Sequence, residues 1–253
     1  MIAAIVQARM GSTRLPGKVL MDICGHPMLW HVVNRVRQAK LVDDVLVATS
    51  ESTSDDPVAA FCEQAGIPCF RGSEDDVLDR YYQAAKWVGT DVIVRITADC
   101  PLIDPDVVDD VVKCYVDGDY DYVSNISPPT LPDGLDTEVF SLEALERAWG
   151  EAKWQTEHEH VTPYIRKHPE LFRVGNITYK ENLASMRWTV DEPQDLEFVR
   201  AVYDHLKSTS SGMAAVLDVL KKHPELMEIN AGIRRNEGYQ KSVREDRLVA
   251  PKQ

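Results

Sequence analysis

Three apolar runs, Ile2–Val6, Val45–Thr49 and Val92–Ile96, are too short for helices, and the stretches between them place apolar residues at helical spacing. A strand of unbroken apolar residues must be buried on both faces, and intervening helices are what covers a sheet on both sides. The alternation therefore predicts an α/β fold built on a parallel sheet. Helices are expected from about Pro27 through Met28, Leu29, Val32, Val33 and Val36, over Asp55–Ala65 opened by Ser54, over Glu74–Val88 opened by Ser73, and over Pro105–Val116. Beyond the turn-rich connection with Pro128, Pro129 and Pro132, short strands alternate with helices at Leu142–Glu151 and Glu159–Lys167, a topological break within one domain. Met186–Val190 reads as a strand leading into a helix at Pro193–His205. "KSTSSG" is a flexible linker by composition. After it, Val216, Leu217 and Leu220 give a polar tail one apolar stripe. The expected division is a domain over residues 1–206, then a linker and helical tail over 207–253 that folds back on the domain or on a second subunit.

The first strand runs into "ARMGSTRLPGK", which has the ingredients of a phosphate loop without being a P-loop. Five residues separate Gly11 from Gly17, and Val19 stands where a P-loop needs a hydroxyl for magnesium. Two glycines still let backbone amides approach an oxyanion, while Arg14 offers a planar fork and Lys18 a point charge. A solvated basic turn is the alternative. Charge distribution favours a small polyanion as ligand: residues 1–40 carry six Lys/Arg against one acid, in a chain of net charge −13. That net charge argues against a general nucleic-acid-binding surface. The N-terminal apolar run is too brief for a signal sequence or a membrane span, so a cytoplasmic protein is expected. The five cysteines, odd in number and without Cys-x-x-Cys spacing, suggest reduced thiols.

In open α/β sheets ligands sit beyond the carboxyl ends of the strands. Two acids occupy such places: Asp99, three residues past Ile96, and Asp191, one past Val190. Carboxylates at neighbouring strand ends, facing a basic loop, suit a hard cation such as Mg²⁺ that also binds triphosphate. Each has a plainer reading, Asp99 as a turn residue before Pro101 and Asp191 as a cap for the following helix.

Together with the loop, these segments resemble the cytidylyltransferases that activate acidic sugars, the ketodeoxyoctonate and acylneuraminate enzymes, and most closely their spore-coat polysaccharide biosynthesis branch. The likeness is carried by "IVQARMGSTRLPGKVLMDICGHPMLWHVVNRV", "RGSEDDVLDRYYQAA", "VRITADCPLIDPDVV", "DGLDTEVFS", "EHVTPYI" and "TVDEPQDLEFV", spanning roughly residues 2–206, and the tail "EINAGIRRNEGYQKSVRED" is similar to tails of that branch. The resemblance implies a Rossmann-like nucleotidyltransferase fold (the nucleotide-diphospho-sugar transferase fold), with a mixed, mostly parallel sheet flanked by helices. It implies transfer of CMP from CTP to a small acidic acceptor with release of pyrophosphate and Mg²⁺ as cofactor; a homodimer is expected from the apolar stripe of the tail, and neither nucleic acid nor a membrane is expected as partner. Arg14 and Lys18 would grip the β- and γ-phosphates, and Asp99 and Asp191 would hold the metal. Ala8, Arg9, Gly11, Ser12, Arg71, Ser73 and Arg80 would complete the nucleotide site. Gln7 replaces the proline of the acidic-sugar enzymes and Ala98 the glycine of their "GDxPL" block, which leaves the metal acid in place and the acceptor open.

Asp136 and Glu138 alternate on an expected strand, facing either the acceptor pocket or a solvent edge. His158 and His160, two residues apart, do not share a helix face and so make no zinc pair. His160 would donate a hydrogen bond to the acidic acceptor or serve a structural role. The five tryptophans fall mostly in amphipathic segments and read as core. Two other functions fit parts of the pattern. A nucleotide-sugar-dependent glycosyltransferase shares the architecture but usually carries Asp-x-Asp at a strand end, where "TADCP" has one acid. A non-catalytic nucleotide-binding regulator would fit the altered "ADCPL" block but not the retention of Lys18, Asp99 and Asp191.

Overall fold

A computed structural model describes residues 1–249. Among these residues the strands are β1 (Ile2–Gln7), β2 (Asp22–Ile23), β3 (His26–Pro27), β4 (Asp44–Ser50), β5 (Cys69–Gly72), β6 (Val92–Thr97), β7 (Tyr122–Ser124), β8 (Glu138–Ser141) and β9 (Val174–Asn176). β2 and β3 form a small hairpin, and the other seven make one sheet in the order β5-β4-β1-β6-β8-β7-β9. β5, β4, β1 and β6 run parallel, β8 is antiparallel to both neighbours, and β9 pairs parallel with β7. The fold is therefore the α/β sheet expected from the alternating pattern, mixed and mostly parallel as the family resemblance implies.

The helices are α1 (Met28–Val36), α2 (Asp56–Gln64), α3 (Val77–Val88), α4 (Pro105–Asp117), α5 (Leu142–Glu151), α6 (Gln155–His160), α7 (Pro163–Lys167), α8 (Pro193–His205), α9 (Met213–Lys222) and α10 (Glu237–Arg244). Alternation along β1 divides the core. Ala4 and Val6 pack toward α1, α4 and α8, while Ala3 and Ile5 pack toward α3 and α5. Because the chain winds outward from β1 to β5 and then returns to place β6 on β1's other side, the strand order reverses between β1 and β6. A crevice opens at such a reversal, beyond the carboxyl ends of the strands.

Several local expectations are corrected. Pro27 lies in β3, just ahead of α1. α3 begins at Val77, capped by Asp76, whose carboxylate accepts the Asp79 amide at 2.9 Å, while Ser73 accepts the Asp76 amide one turn earlier. The helix expected over Glu159–Lys167 is two short helices, because Val161 adopts φ 72° and Pro163 starts a new turn. Met186–Val190 is an irregular extended segment whose amides bond loop carbonyls. Of the tryptophans, Trp188 is fully buried, but Trp87 and Trp154 are exposed. All five cysteines are free thiols, with Cys24 exposed.

In the tail, Val216, Val219, Leu220 and Leu226 join the core beside α8. α10 buries no residue fully, and residues 250–253, the end of the expected tail, lie outside the described chain. No described helix is long and apolar enough to cross a membrane.

Candidate active site

The loop after β1 is pinned at both ends. Met10 donates its amide to the buried carboxylate of Asp55 at 2.7 Å, and Asp55 also accepts the Ser50 amide and hydroxyl at the end of β4. The Met10 carbonyl accepts the amides of Ser12 at 2.9 Å and Gly17 at 3.0 Å, folding the loop into a compact hook. Gly17 sits at φ 74°, a left-handed conformation that glycine adopts without strain, and it opens the 3₁₀ turn Lys18–Leu20. That turn sends Lys18 inward, so a residue expected on an exposed loop is only 8 % exposed.

Lys18 meets the two acids at the bottom of the crevice. Its ammonium donates to Asp99 at 3.1 Å, to Asp191 at 2.8 Å and to the Val190 carbonyl at 2.7 Å. The segments carrying the acids are stitched together, since the Val190 amide donates to the Asp99 carbonyl at 2.8 Å. Burial disfavours the charge on Lys18, but Asp99 and Asp191 more than offset this and raise its pKa. Burial likewise works against the Asp191 carboxylate, yet Lys18, Arg14 and Arg187 hold its pKa down to about 2. Arg14 reaches Asp191 and Glu192, each at 3.1 Å. Two carboxylates therefore share one cation, and their hard oxygens match what Mg²⁺ takes from a protein when phosphates supply other ligands. No cluster of three or more His, Cys, Asp or Glu among the described residues forms an all-protein metal cage.

Arg187 supports this pair from behind. Its guanidinium grips Asp195 bidentately at 2.9 Å and reaches Asp133 at 3.0 Å and Asp191 at 3.2 Å. Asp195 is fully buried and also accepts the amides of Asp191 and Glu192, so it fixes the start of α8 and the backbone of Asp191 together. Gly134 makes the arrangement possible: at φ 114° its Cα lies so close to Trp188 and Thr189 that a Cβ would come within 2.6 Å of the Thr189 amide nitrogen. Sequence reasoning missed Arg187, although its place four residues before Asp191 was a visible signal.

The crevice is a cavity of about 1040 Å³, lined by Arg9, Gly11, Ser12, Arg14, Lys18, Asp99 and Asp191 on one side and by Asp136, Glu138 and His160 on the other. The second half holds further cations that sequence reasoning did not single out. Arg95 and Arg166 line it, and a charge in the middle of the apolar strand "VIVRIT" was a signal for the first. Glu138 is committed: it accepts from Arg95 at 2.5 Å, Tyr122 at 2.6 Å and Thr162 at 2.5 Å, and against its burial Arg95 and Arg166 keep its pKa low. His160 is lowered to about 4 by burial and by Arg95 and Arg166, so it is neutral, with Nε2 buried, making no hydrogen bond and lying 4.0 Å from Glu159. His158 instead faces Asp76 at 2.9 Å. Burial in the cleft pushes Asp136 up to about 7 despite Arg235, which bonds it at 2.5 Å.

The remaining sequence candidates lie off the cavity lining. Ala8 is buried and its amide bonds the Ala48 carbonyl at 3.1 Å. Arg71 ties together the turn after β4, through the carbonyls of Ser50 and Ser52, both at 2.9 Å, and Asp56 at 2.7 Å. Arg80 is fully buried and donates to the Ser73 carbonyl at 2.5 Å, leaving Nε and one terminal nitrogen without a partner. Burial lowers its pKa, and Arg9 adds to that.

The architecture is that of a nucleotidyltransferase, with a basic glycine loop and two convergent aspartates at the switch point of the sheet. A family model described as cytidylyltransferase matches residues 3–223, and the chain belongs to that family. It is 38% identical to an uncharacterized protein of Methanocaldococcus jannaschii over 96% of this chain and 98% of that one. It is 35% identical to a spore coat polysaccharide biosynthesis protein of Bacillus subtilis, over 88% and 95%. A 3-deoxy-manno-octulosonate cytidylyltransferase of Geobacter sulfurreducens is 37% identical over 44% of each chain. Among solved structures, a cytidylyltransferase from Leptospira borgpetersenii superposes with TM-score 0.86 at 32% identity, covering 92% of this chain and 99% of that one. The protein is thus a CTP-dependent nucleotidyltransferase by family.

Proposed function

We propose that this chain transfers CMP from CTP to a small sugar acid, with Mg²⁺ and release of pyrophosphate, in polysaccharide biosynthesis. The observation that carries the reading is the convergence of Asp99 and Asp191 on Lys18 beneath the first loop. Bound there, Mg²⁺ would supply charge neutralisation for the triphosphate. Asp99 and Asp191 would hold it. Lys18 and Arg14 rest on those carboxylates, and a triphosphate would offer both cations an alternative anion, leaving Asp99 and Asp191 as the residues that would hold the metal. Phosphoryl transfer asks a protein chiefly for alignment and charge neutralisation, which this arrangement supplies. The base of CTP would lie against the loop residues that line the cavity, Arg9, Gly11 and Ser12, while Arg71, Ser73 and Arg80, off the lining, would act only by shaping the turn after β4 and the approach to α3.

In the other half of the cavity, Arg166 and neutral His160 would receive the acid group of the acceptor. Asp136 is the carboxyl held near neutrality there, which matches proton transfer from an acceptor hydroxyl. The test is pyrophosphate release across CTP, UTP, ATP and GTP with a series of sugar acids. Release with CTP and a sugar acid is expected. Equal release with ATP, or glycosyl transfer from a nucleotide-sugar without pyrophosphate release, would overturn the reading.

A further inference from the structure

The family model ends at residue 223, yet the cavity does not. Arg234, Tyr239, Lys241, Ser242 and Arg247 line it, all from the segment beyond the shared family domain. That segment is tied down on both sides of the crevice. Near the metal acids, the side chain of buried Asn230 donates to the Arg187 carbonyl at 3.1 Å and to Asp195 at 3.0 Å. Arg235 then reaches the Leu131 carbonyl at 3.0 Å and Asp136 at 2.5 Å. Asn236, at φ 60° where asparagine is tolerated, turns the chain into α10. Past α10, Asp246 accepts the Thr156 amide at 3.0 Å and hydroxyl at 2.6 Å, while the Gln155 amide donates to the Arg247 carbonyl at 2.9 Å. The tail is thus a strap from the Arg187 network to α6, anchored by polar contacts and spanning the acceptor half of the cavity.

The side chains it brings to the cavity fall into two sets. Tyr239 is held edge-on to His160, with ring centroids 5.0 Å apart, and Arg166 lies over its ring at 5.8 Å. Arg234 and Lys241, in contrast, are exposed side chains on a lining that also includes Glu159, Glu237 and Glu245, yet they make no ion pair or side-chain hydrogen bond among the described residues. The domain lines the same cavity with Arg166 and His160, whose buried Nε and Nε2 make no hydrogen bond, Nε2 lying 4.0 Å from Glu159. Unpaired cations and orphaned donors on both walls of one space are what an anionic ligand needs.

We infer that the strap is half of the acceptor site: Arg234 and Lys241 close from above on the carboxylate of a sugar acid that Arg166 and His160 receive from below. The inference rests on the proposed CMP transfer and adds to it the element that selects the acceptor. Specificity then lies in a segment the family domain does not contain, so relatives sharing the nucleotide half can differ in acceptor by differing in the strap.

The test is calorimetric titration of the full chain in two arms. The first measures Kd for the unreactive α,β-methylene analogue of CTP with Mg²⁺. The second titrates 3-deoxy-manno-octulosonate into the protein saturated with that analogue, for wild type, Arg234→Gln and Lys241→Gln. Each substitution should weaken the sugar acid about tenfold or more, the size of one charge-assisted hydrogen bond, and change nucleotide Kd less than about twofold. Neither side chain has a partner to lose, so melting temperatures should match wild type. Sugar-acid binding unchanged in both variants, or absent from a wild type that binds the nucleotide, would overturn the strap's role and leave the nucleotide half standing. Failure of the wild type to bind the nucleotide would overturn the CMP-transfer reading, and the inference with it.

Discussion

Replacing Arg187 should show how much of the site's geometry one side chain maintains. Its guanidinium makes four contacts of 3.2 Å or less with Asp133, Asp191 and Asp195, and its side chain is only 8% exposed. Arg187→Met would leave the fully buried Asp195 carboxylate without its cation, and removing one partner of a buried ion pair costs about 3–5 kcal/mol. For a chain of this size a loss of 3 kcal/mol lowers Tm by roughly 6–12 °C. Arg187→Lys keeps the charge but not the fork, and should lose about 1.5–3 kcal/mol, the worth of one charge-assisted hydrogen bond. Urea unfolding of the three proteins, with midpoints compared at unchanged slope, measures both steps. Because Asp195 also holds the Asp191 amide at 3.0 Å, CTP affinity should fall in the same order. An Arg187→Met protein within about 1 kcal/mol of wild type, binding CTP normally, would refute the claim that this network positions the metal acid.

Gly134→Ala should abolish turnover and lower stability, because φ 114° and backbone atoms within 2.7 Å of the added carbon would force away the segment that carries Asp191; a normal melt and rate would contradict this. Lys18→Ala should weaken CTP binding by about 1.5–3 kcal/mol, read by calorimetry, and should also lower Tm since Lys18 is buried between two acids; unchanged affinity would remove the loop from the phosphate site. His160, ordinarily near 6.5 and lowered to about 4 in the fold, takes its proton first in the unfolded chain. Stability should therefore fall as pH drops from 6.5 toward 4, by up to about 3 kcal/mol, and level off below. Asp136, raised to about 7, acts with the opposite sign over much of that range, so the readout is wild type minus His160→Gln; a pH-independent difference would refute the buried neutral histidine.

What the sequence made legible follows from how each segment is stabilised. β1, β4 and β6 are buried on both faces, so their apolar runs mark them to within a residue at either end. Met186–Val190 has three apolar residues of its five, but the amides of Trp188 and Thr189 bond the Asp133 carbonyl and that of Val190 bonds the Asp99 carbonyl, so no ladder forms. Composition reports burial, and burial alone does not separate a strand from a loop packed under a site. Asp99 and Asp191 could be found because strand ends in this architecture point at the ligand. Arg166 and the strap could not be ranked in that way, since their importance comes from partners distant in sequence, and Arg187, though close to Asp191 and Asp195, gains its third partner, Asp133, only through the fold. α10 carries no buried residue to give it an apolar signature, and only its contacts with α6 and the cavity reveal where it belongs.

The central claim is that Asp99 and Asp191 form a metal site for the triphosphate of CTP. Its most direct measurement is the affinity for CTP with Mg²⁺ and with chelator, in wild type, Asp99→Asn and Asp191→Asn, alongside thermal melts. The exchange is nearly isosteric, and asparagine still caps helices and shapes turns, so the fold should persist. Wild type should bind CTP far more tightly with Mg²⁺ than without, and each variant should lose that dependence together with pyrophosphate release, as a hard cation loses a charged ligand. Mg²⁺-dependent CTP binding that survives in either variant would remove that aspartate from the site and contradict the account.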